Sequence, residues 1–245
     1  MTYLFSGMII GIVMGLTGAG GALIAIPLFI QFMGMNLKEA SIYSLIAVVV
    51  ASLLNFVEQR KATQYRTGLV IVILSAVTSF ITAPYKESLP TLYVAILLAL
   101  VSVYALYSVW VPAKEISEVS NKSQTNMFLT AVIGLVLGAL TTFTGLGGGV
   151  LMLPIFLGFF QYSQSQSVAT SLFAVGLSSL ISLLVQMNRG THFGAKIDLL
   201  FLVVGILIAV YILRHLVRLL PQKSMNITRQ IVFTFVVIFA LLKIF

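Results

Sequence analysis

The chain has 245 residues, 60% of them hydrophobic and only 8% charged. A water-facing domain carries about a quarter charged residues. Fourteen Lys and Arg with six Asp and Glu therefore exclude a soluble enzyme and a disordered tail, and leave a lipid bilayer as the solvent. The net charge of +8 is spread in short clusters between apolar runs, where juxtamembrane Lys and Arg belong, so nucleic acid is not an expected partner. With no Cys, disulfides, thiolate catalysis, iron–sulfur ligation and thiol metal sites are excluded.

Divided at charged or turn-rich positions, the chain gives eight apolar segments, at roughly 4–34, 41–57, 67–85, 89–111, 127–160, 167–187, 198–213 and 229–245. The first continues from Met1–Phe5, which has no positive n-region, and is read as mature chain rather than a signal peptide. The first and fifth are about thirty residues long; a straight helix of that length runs about 45 Å, beyond a hydrocarbon core of ~30 Å. Both are broken near the middle by glycines. The other six have about the length of a single crossing. Pro112–Met127 separates the fourth segment from the fifth and reads as a linker between a first membrane repeat, 1–111, and a second, 128–245.

The chain repeats itself across that linker. Thr17-Gly18-Ala19-Gly20-Gly21 with Pro27 returns as Thr144-Gly145-Leu146-Gly147-Gly148 with Pro154, at an offset of 127 residues. The offset holds without a gap from Gly11/Gly138 to Gln59/Gln186, with fifteen of forty-nine pairs identical. Among them are Phe29/Phe156, Ser44/Ser171, Ala47/Ala174, Val48/Val175 and Ser52/Ser179. The expected fold is an all-α integral membrane protein of two homologous halves. Each half has a Gly-broken first segment, re-entrant or discontinuous, and three spanning helices.

If each broken segment crosses once, the halves are parallel; if each returns as a hairpin, they are inverted. Inversion puts Arg60, Lys61, Arg66, Lys114, Lys122, Arg214, Arg218, Lys223 and Arg229 inside, nine basic residues against five. The parallel arrangement gives eight against six. The positive-inside rule and the length of the broken segments favour inverted repeats.

Glycines inside lipid expose backbone groups that must be satisfied by protein or by a watered cavity. A short helix starting after Gly20-Gly21, and its counterpart after Gly147-Gly148, would present free N–H groups and a partial positive charge. Two such ends near the midplane suit an anion without a buried Lys or Arg. Thr17 and Thr144 could add hydroxyl donors. Gly7, Gly11 and Gly134 read instead as a packing seam. Neither Gly cluster is a nucleotide loop, since no Lys-Ser/Thr follows it.

The segment after each break supplies polar side chains. Ser41, Ser44, Ser52, Asn55 and Gln59 fall at roughly helical spacing in the first half. Ser167, Ser171, Ser178, Ser179, Ser182 and Gln186 do so in the second, with Ser182 where the first half has Asn55. These residues either hydrogen-bond between helices or line a path beside the Gly loops. The expected substrate site is Thr17, Gly18, Gly20, Gly21, Ser44, Asn55, Gln59, Thr144, Gly145, Gly147, Gly148, Ser171, Ser182 and Gln186. No Asp, Glu, Lys or Arg falls mid-segment, which speaks against a cation or metal transporter. No metal or other cofactor is expected. A serine hydrolase would need a His or Lys base within reach, and none lies mid-segment, so an enzyme is not expected.

The duplicated Gly-x-Gly-Gly followed by Pro, and then a Ser-Leu-x-Ala-Val helix, resembles the sulfite exporter TauE/SafE family of membrane permeases. The residues that carry it are Gly18-Ala19-Gly20-Gly21 with Pro27 and Gly145-Leu146-Gly147-Gly148-Gly149 with Pro154. Ala22 stands where the second copy has Gly149, a departure in the first copy. The resemblance implies a multi-pass transporter of the bacterial inner membrane for small sulfur-containing anions such as sulfite or organosulfonates. Its partners would be that anion and membrane lipid, with a homodimer allowed. Alternating access around a midplane site is the expected mechanism, and an anion-selective channel, or transport of another small organic anion, the alternative.

Overall fold

The computed structural model describes residues 2–17, 21–86, 88–110, 126–188 and 196–217, with positions 231, 234, 235 and 238 near the carboxyl end. Among the described residues the structure is helical, with α1 (Thr2–Thr17), α2 (Gly21–Met33), α3 (Leu37–Gln59), α4 (Tyr65–Thr82) and α5 (Thr91–Trp110) before the linker region. After it come α6 (Met127–Thr144), α7 (Gly149–Gly158), α8 (Gln164–Met187) and α9 (Lys196–Val217). Single 3-10 turns follow α3 at Arg60–Ala62 and α4 at Ala83–Tyr85.

Among the described residues, four helical stretches are long and apolar enough to cross a membrane: Leu37–Ala62, Tyr65–Tyr85, Met127–Thr144 and Gln164–Met187. Three of them fall on segments expected to cross once. The fourth, Met127–Thr144, is the first part of a segment expected to be broken, and at 18 residues it reaches crossing length by itself. The segments at 89–111 and 198–213 fall in α5 and α9, which are 20 and 22 residues long. The last segment, 229–245, lies almost wholly outside the described residues, as does the linker up to 125.

Local chemistry places the helix ends, and it recurs at the offset of 127. Asn36 caps α3: its side chain accepts from Glu39 N at 2.9 Å, and Glu39 accepts from Asn36 N at 3.2 Å. Ser163 and Gln166 repeat that reciprocal capping at the start of α8, at 3.3 and 3.2 Å. Such boxes satisfy donors that a helix start leaves orphaned. The turns leading into these helices also match. Gly34 has φ 64° and Gln161, its counterpart, has φ 52°. Met35 N donates to Phe29 O at 3.3 Å, and Tyr162 N to Phe156 O at 3.1 Å. Phe29 and Phe156 are both fully buried, while Phe32 and Phe159 both face outward.

Packing pairs helices that precede residue 111 with helices that follow residue 126. Helix α1 lies on α9, α6 lies on α4, and α3 and α8 pack on each other. In lipid no hydrophobic force drives helices together, so close approach through small residues does much of the work. A Cβ on Gly11 would lie 2.7 Å from Ala209 Cβ, and one on Gly7 would lie 3.2 Å from the Gly205 Cα. On the other pair, a Cβ on Gly138 would reach Ser75 Cα at 2.7 Å and one on Gly134 would reach Ile71 Cα at 3.2 Å. Gly7/Gly134 and Gly11/Gly138 are repeat-matched, so one seam was used twice. Large apolar side chains such as Phe5, Ile73, Phe80, Leu100, Phe128 and Leu200 face outward, as lipid-contacting residues do.

Helices α3 and α8 run antiparallel. Phe56 meets Phe173 with ring centroids 5.2 Å apart, a Cβ on Gly176 would lie 3.3 Å from Ser52 Cβ, and Lys86 joins Ser41 to Gln186. As numbers rise along α3 they fall along α8.

Candidate functional site: a glycine loop on a serine seam

The second glycine break is a tight loop seated on the α3–α8 seam. Gly145 ends α6 at φ 73°, and Gly147 and Gly148 follow at φ 66° and 67°. Residues with a Cβ are strained there, so three of the four loop positions call for glycine on backbone grounds alone. Space adds to this. A Cβ on Gly145 would lie 2.6 Å from Ser41 Cβ, and one on Gly147 would lie 2.6 Å from Ser179 Oγ and 2.7 Å from Val48 Cγ1. Helix α7 then starts with Gly148 as its cap and no side chain capping it, so its first amides are left to other partners.

The hydroxyls around the loop divide into two kinds. In an apolar helix, Ser and Thr ordinarily donate to a carbonyl of the preceding turn. Ser75, Thr78, Ser102 and Thr142 do so, at 2.7–3.0 Å. Ser44 instead reaches across to Gly145 O at 3.1 Å. Ser52, Ser171 and Ser179 are fully buried, and their hydroxyls have no hydrogen-bond partner among the described residues. All three belong to the repeat-matched pairs Ser44/Ser171 and Ser52/Ser179. A buried hydroxyl without a partner costs on the order of 1–3 kcal/mol. Ser179 stands against Gly147 of the loop and Ser52 against Gly176 further along the seam, so with Ser171 they form a row of open donors and acceptors along α3 and α8.

Of the expected site residues, the structure brings Ser44, Gly145, Gly147 and Gly148 together with Ser179, which the sequence reading left out of the site. Thr144 stays with its own helix: its Oγ1 donates to Leu140 O at 2.6 Å and accepts from Leu146 N at 3.2 Å, fixing the loop's first turn. Ser182 shares a hydrogen bond with Ser79 at 2.8 Å. Asn55 turns back to Ala51 O at 2.8 Å. Gln59 is fifteen residues from Ser44 along α3, about 22 Å at helical rise, at the far end of the seam. In the first copy, Thr17 closes α1 and Gly21 opens α2, while Gly18 and Gly20 lie outside the described residues.

The expectation of an interior without a buried cation needs correction. Lys86, directly after the Ala83–Tyr85 turn, is only 8% exposed. Its Nζ donates to Ser41 Oγ at 2.8 Å and to Gln186 Oε1 at 2.5 Å. It escapes a sequence reading because it falls between two apolar segments, where a Lys normally meets water. Here the 3-10 turn folds it back onto the helix ends. The one available signal was its place after Ala83-Pro84-Tyr85, a tight turn rather than a long loop.

A helical chain with an outward apolar surface, crossing-length helices and a polar seam at its centre belongs to the membrane proteins. The family model described as sulfite exporter TauE/SafE matches residues 3–243, and the chain belongs to that family of membrane transporters. It is 23% identical over 197 residues to a probable membrane transporter protein of Xylella fastidiosa strain 9a5c, covering 76% of this chain and 72% of that one. A protein with the same description from strain Temecula1 is 24% identical over the same coverage. No solved structure matches the chain.

Proposed function

We propose that this transporter carries small sulfur-containing anions, such as sulfite or organosulfonates, by alternating access around the glycine loops and the α3–α8 seam. The observation that carries the reading is the row of buried, unpartnered hydroxyls of Ser52, Ser171 and Ser179 along the α3–α8 seam, with Ser179 against the positive-φ Gly147. Hydroxyls and backbone amides bind an oxyanion through its oxygens, and such a site keeps the substrate's charge mobile. In the sequence, the offset that carries Ser44 to Ser171 also carries Gly145 back to Gly18.

The halves are inverted repeats in this reading, each opening on a Gly-broken segment. The antiparallel pairing of α3 with α8 supports this, because equivalent spanning helices that run in opposite directions belong to halves of opposite orientation. The exchange of partners, α1 on α9 and α6 on α4, is what a two-fold axis in the membrane plane produces. A seam lying on such an axis can open toward either side by rocking one half on the other.

Purified protein in proteoliposomes should take up sulfite, thiosulfate or sulfoacetate saturably and ignore a cation control. Cation flux with no sulfur-anion flux would reject the reading. Anion flux that rises linearly with concentration would replace the carrier with a channel.

A further inference from the structure

Lys86 is the feature that the proposed site does not use. Intramembrane and near-membrane ionisable residues that turn inward mark ligand paths more often than packing. Three observations converge on it. It closes the end of the α3–α8 seam by bonding Ser41 in the first turns of α3 and Gln186 in the last turn of α8. It lines a small recess with Leu37, Lys38, Ser41, Thr91, Val94 and Phe143, which sets a second cation at the same opening. And Ser41 is shared: the residue that accepts from Lys86 also packs against Gly145 at the start of the glycine loop, with Ser44 bonding Gly145 O one turn further in.

We propose that this recess is the receiving subsite for the anion and that Lys86 is its latch. This rests on the reading of the chain as an anion carrier. The ammonium holds Ser41 and Gln186, which are neutral oxygen acceptors. Those bonds are charge-assisted on the donor side only, and an anionic oxygen adds the attraction of opposite charges. An oxyanion arriving between Lys38 and Lys86 therefore draws the ammonium off the seam, and the same step unties α3 from α8 beside the loop that takes the anion next. Lys86 is a positioning and selectivity residue: it admits anions, and it links their arrival to opening of this end.

The chain has no Cys, so a single introduced thiol can be read without further changes. Thr91→Cys places one in the recess. Its modification rate by a sulfonate-bearing methanethiosulfonate should exceed that by an ammonium-bearing reagent of the same size about tenfold, the low end of what focused charge does to local ion concentration. Sulfoacetate should protect the thiol. Lys86→Met should cut the rate ratio at least threefold, and Lys86→Arg should keep it. A thiol at Ser44→Cys should react faster in the Lys86→Met background, because the latch is gone. A ratio near one in Thr91→Cys, or no protection by sulfoacetate, overturns the subsite even if Lys86→Met fails to insert. An unchanged Ser44→Cys rate overturns the latch. Charge-selective labelling without anion flux in proteoliposomes would remove the carrier reading and leave an anion-docking recess. Flux without charge selectivity would remove the recess alone.

Discussion

Two groups of glycines do different work in this chain. Gly7, Gly11, Gly134 and Gly138 sit inside helices, with ordinary helical backbone, and their missing side chains let α1 approach α9 and α6 approach α4. Gly145, Gly147 and Gly148 have positive φ, and they turn the chain between α6 and α7 on top of a row of serines. Where a Cβ would go, the first group meets backbone and apolar atoms, and the hydroxyls nearby, Ser79 and Thr142, donate to Gly138 O. The second has around it hydroxyls that find no partner of their own. Glycine near the middle of a membrane segment thus has two separate physical uses, and the neighbouring hydroxyls tell them apart.

The sharpest way to break this comparison is to add the same side chain to each group. Gly147→Val meets Ser179 Oγ and Val48 Cγ1 at 2.6 and 2.7 Å at a backbone angle that valine avoids. Proteoliposome flux should fall to background, while the protein inserts and elutes as a single species. Gly138→Val meets the backbone of Ser75 at 2.7–2.9 Å for its Cα and carbonyl carbon. No rotamer relieves that clash, so α6 must lift from α4. Overpacking of this kind costs about 1–3 kcal/mol, read as a lower thermal midpoint in detergent. If Gly147→Val kept its flux and Gly138→Val lost it with no drop in thermal midpoint, the two roles would be reversed.

The next contrast removes hydroxyls. Ser179→Ala deletes a buried group with no partner, so the protein should be as stable as the parent or slightly more so. Flux at low substrate should nevertheless drop about tenfold, the equivalent of one 1.4 kcal/mol interaction with the bound anion. Ser75→Ala deletes a hydroxyl bonded to Val72 O at 2.9 Å and should leave flux unchanged. Equal flux in Ser179→Ala and Ser75→Ala would mean that the open hydroxyls do not face the substrate.

Much of the fold is legible in the sequence, and the reasons are physical. Apolar run lengths mark the helices, and the offset of 127 pairs Asn36 with Ser163 and Gly34 with Gln161, whose capping and turn geometry do repeat. The seam glycines Gly7, Gly11 and Gly134 read as packing positions and serve as such. The site is less legible. Residue type and spacing place a serine on a helix face, but they do not say whether its hydroxyl bonds back to its own helix. Helical spacing sets Asn55 among the site residues, yet it bonds back to Ala51 O, while Ser179 stands against Gly147. Lys86 is hidden for a different reason: its burial comes from the fold of a turn, and no periodicity reports that.

The smallest effect isolates backbone strain from crowding. Gly34 has φ 64° and nothing within 4 Å of where a Cβ would go, so Gly34→Ala tests the backbone cost alone. Gln161 occupies the matching turn at φ 52°, exposed and without glycine's freedom. A non-glycine residue in this region costs about 1–2 kcal/mol. Gly34→Ala should therefore lower the unfolding free energy by about 1 kcal/mol, and Gln161→Gly should raise it by a similar amount, each less the change in unfolded-chain entropy. Flux should be unchanged in both, since neither turn touches the seam. Opposite shifts of comparable size would make the two connections one structural element with two sequences. A loss of flux in either would extend the working region of the glycines from the loop at Gly145–Gly148 to the turns that follow α2 and α7.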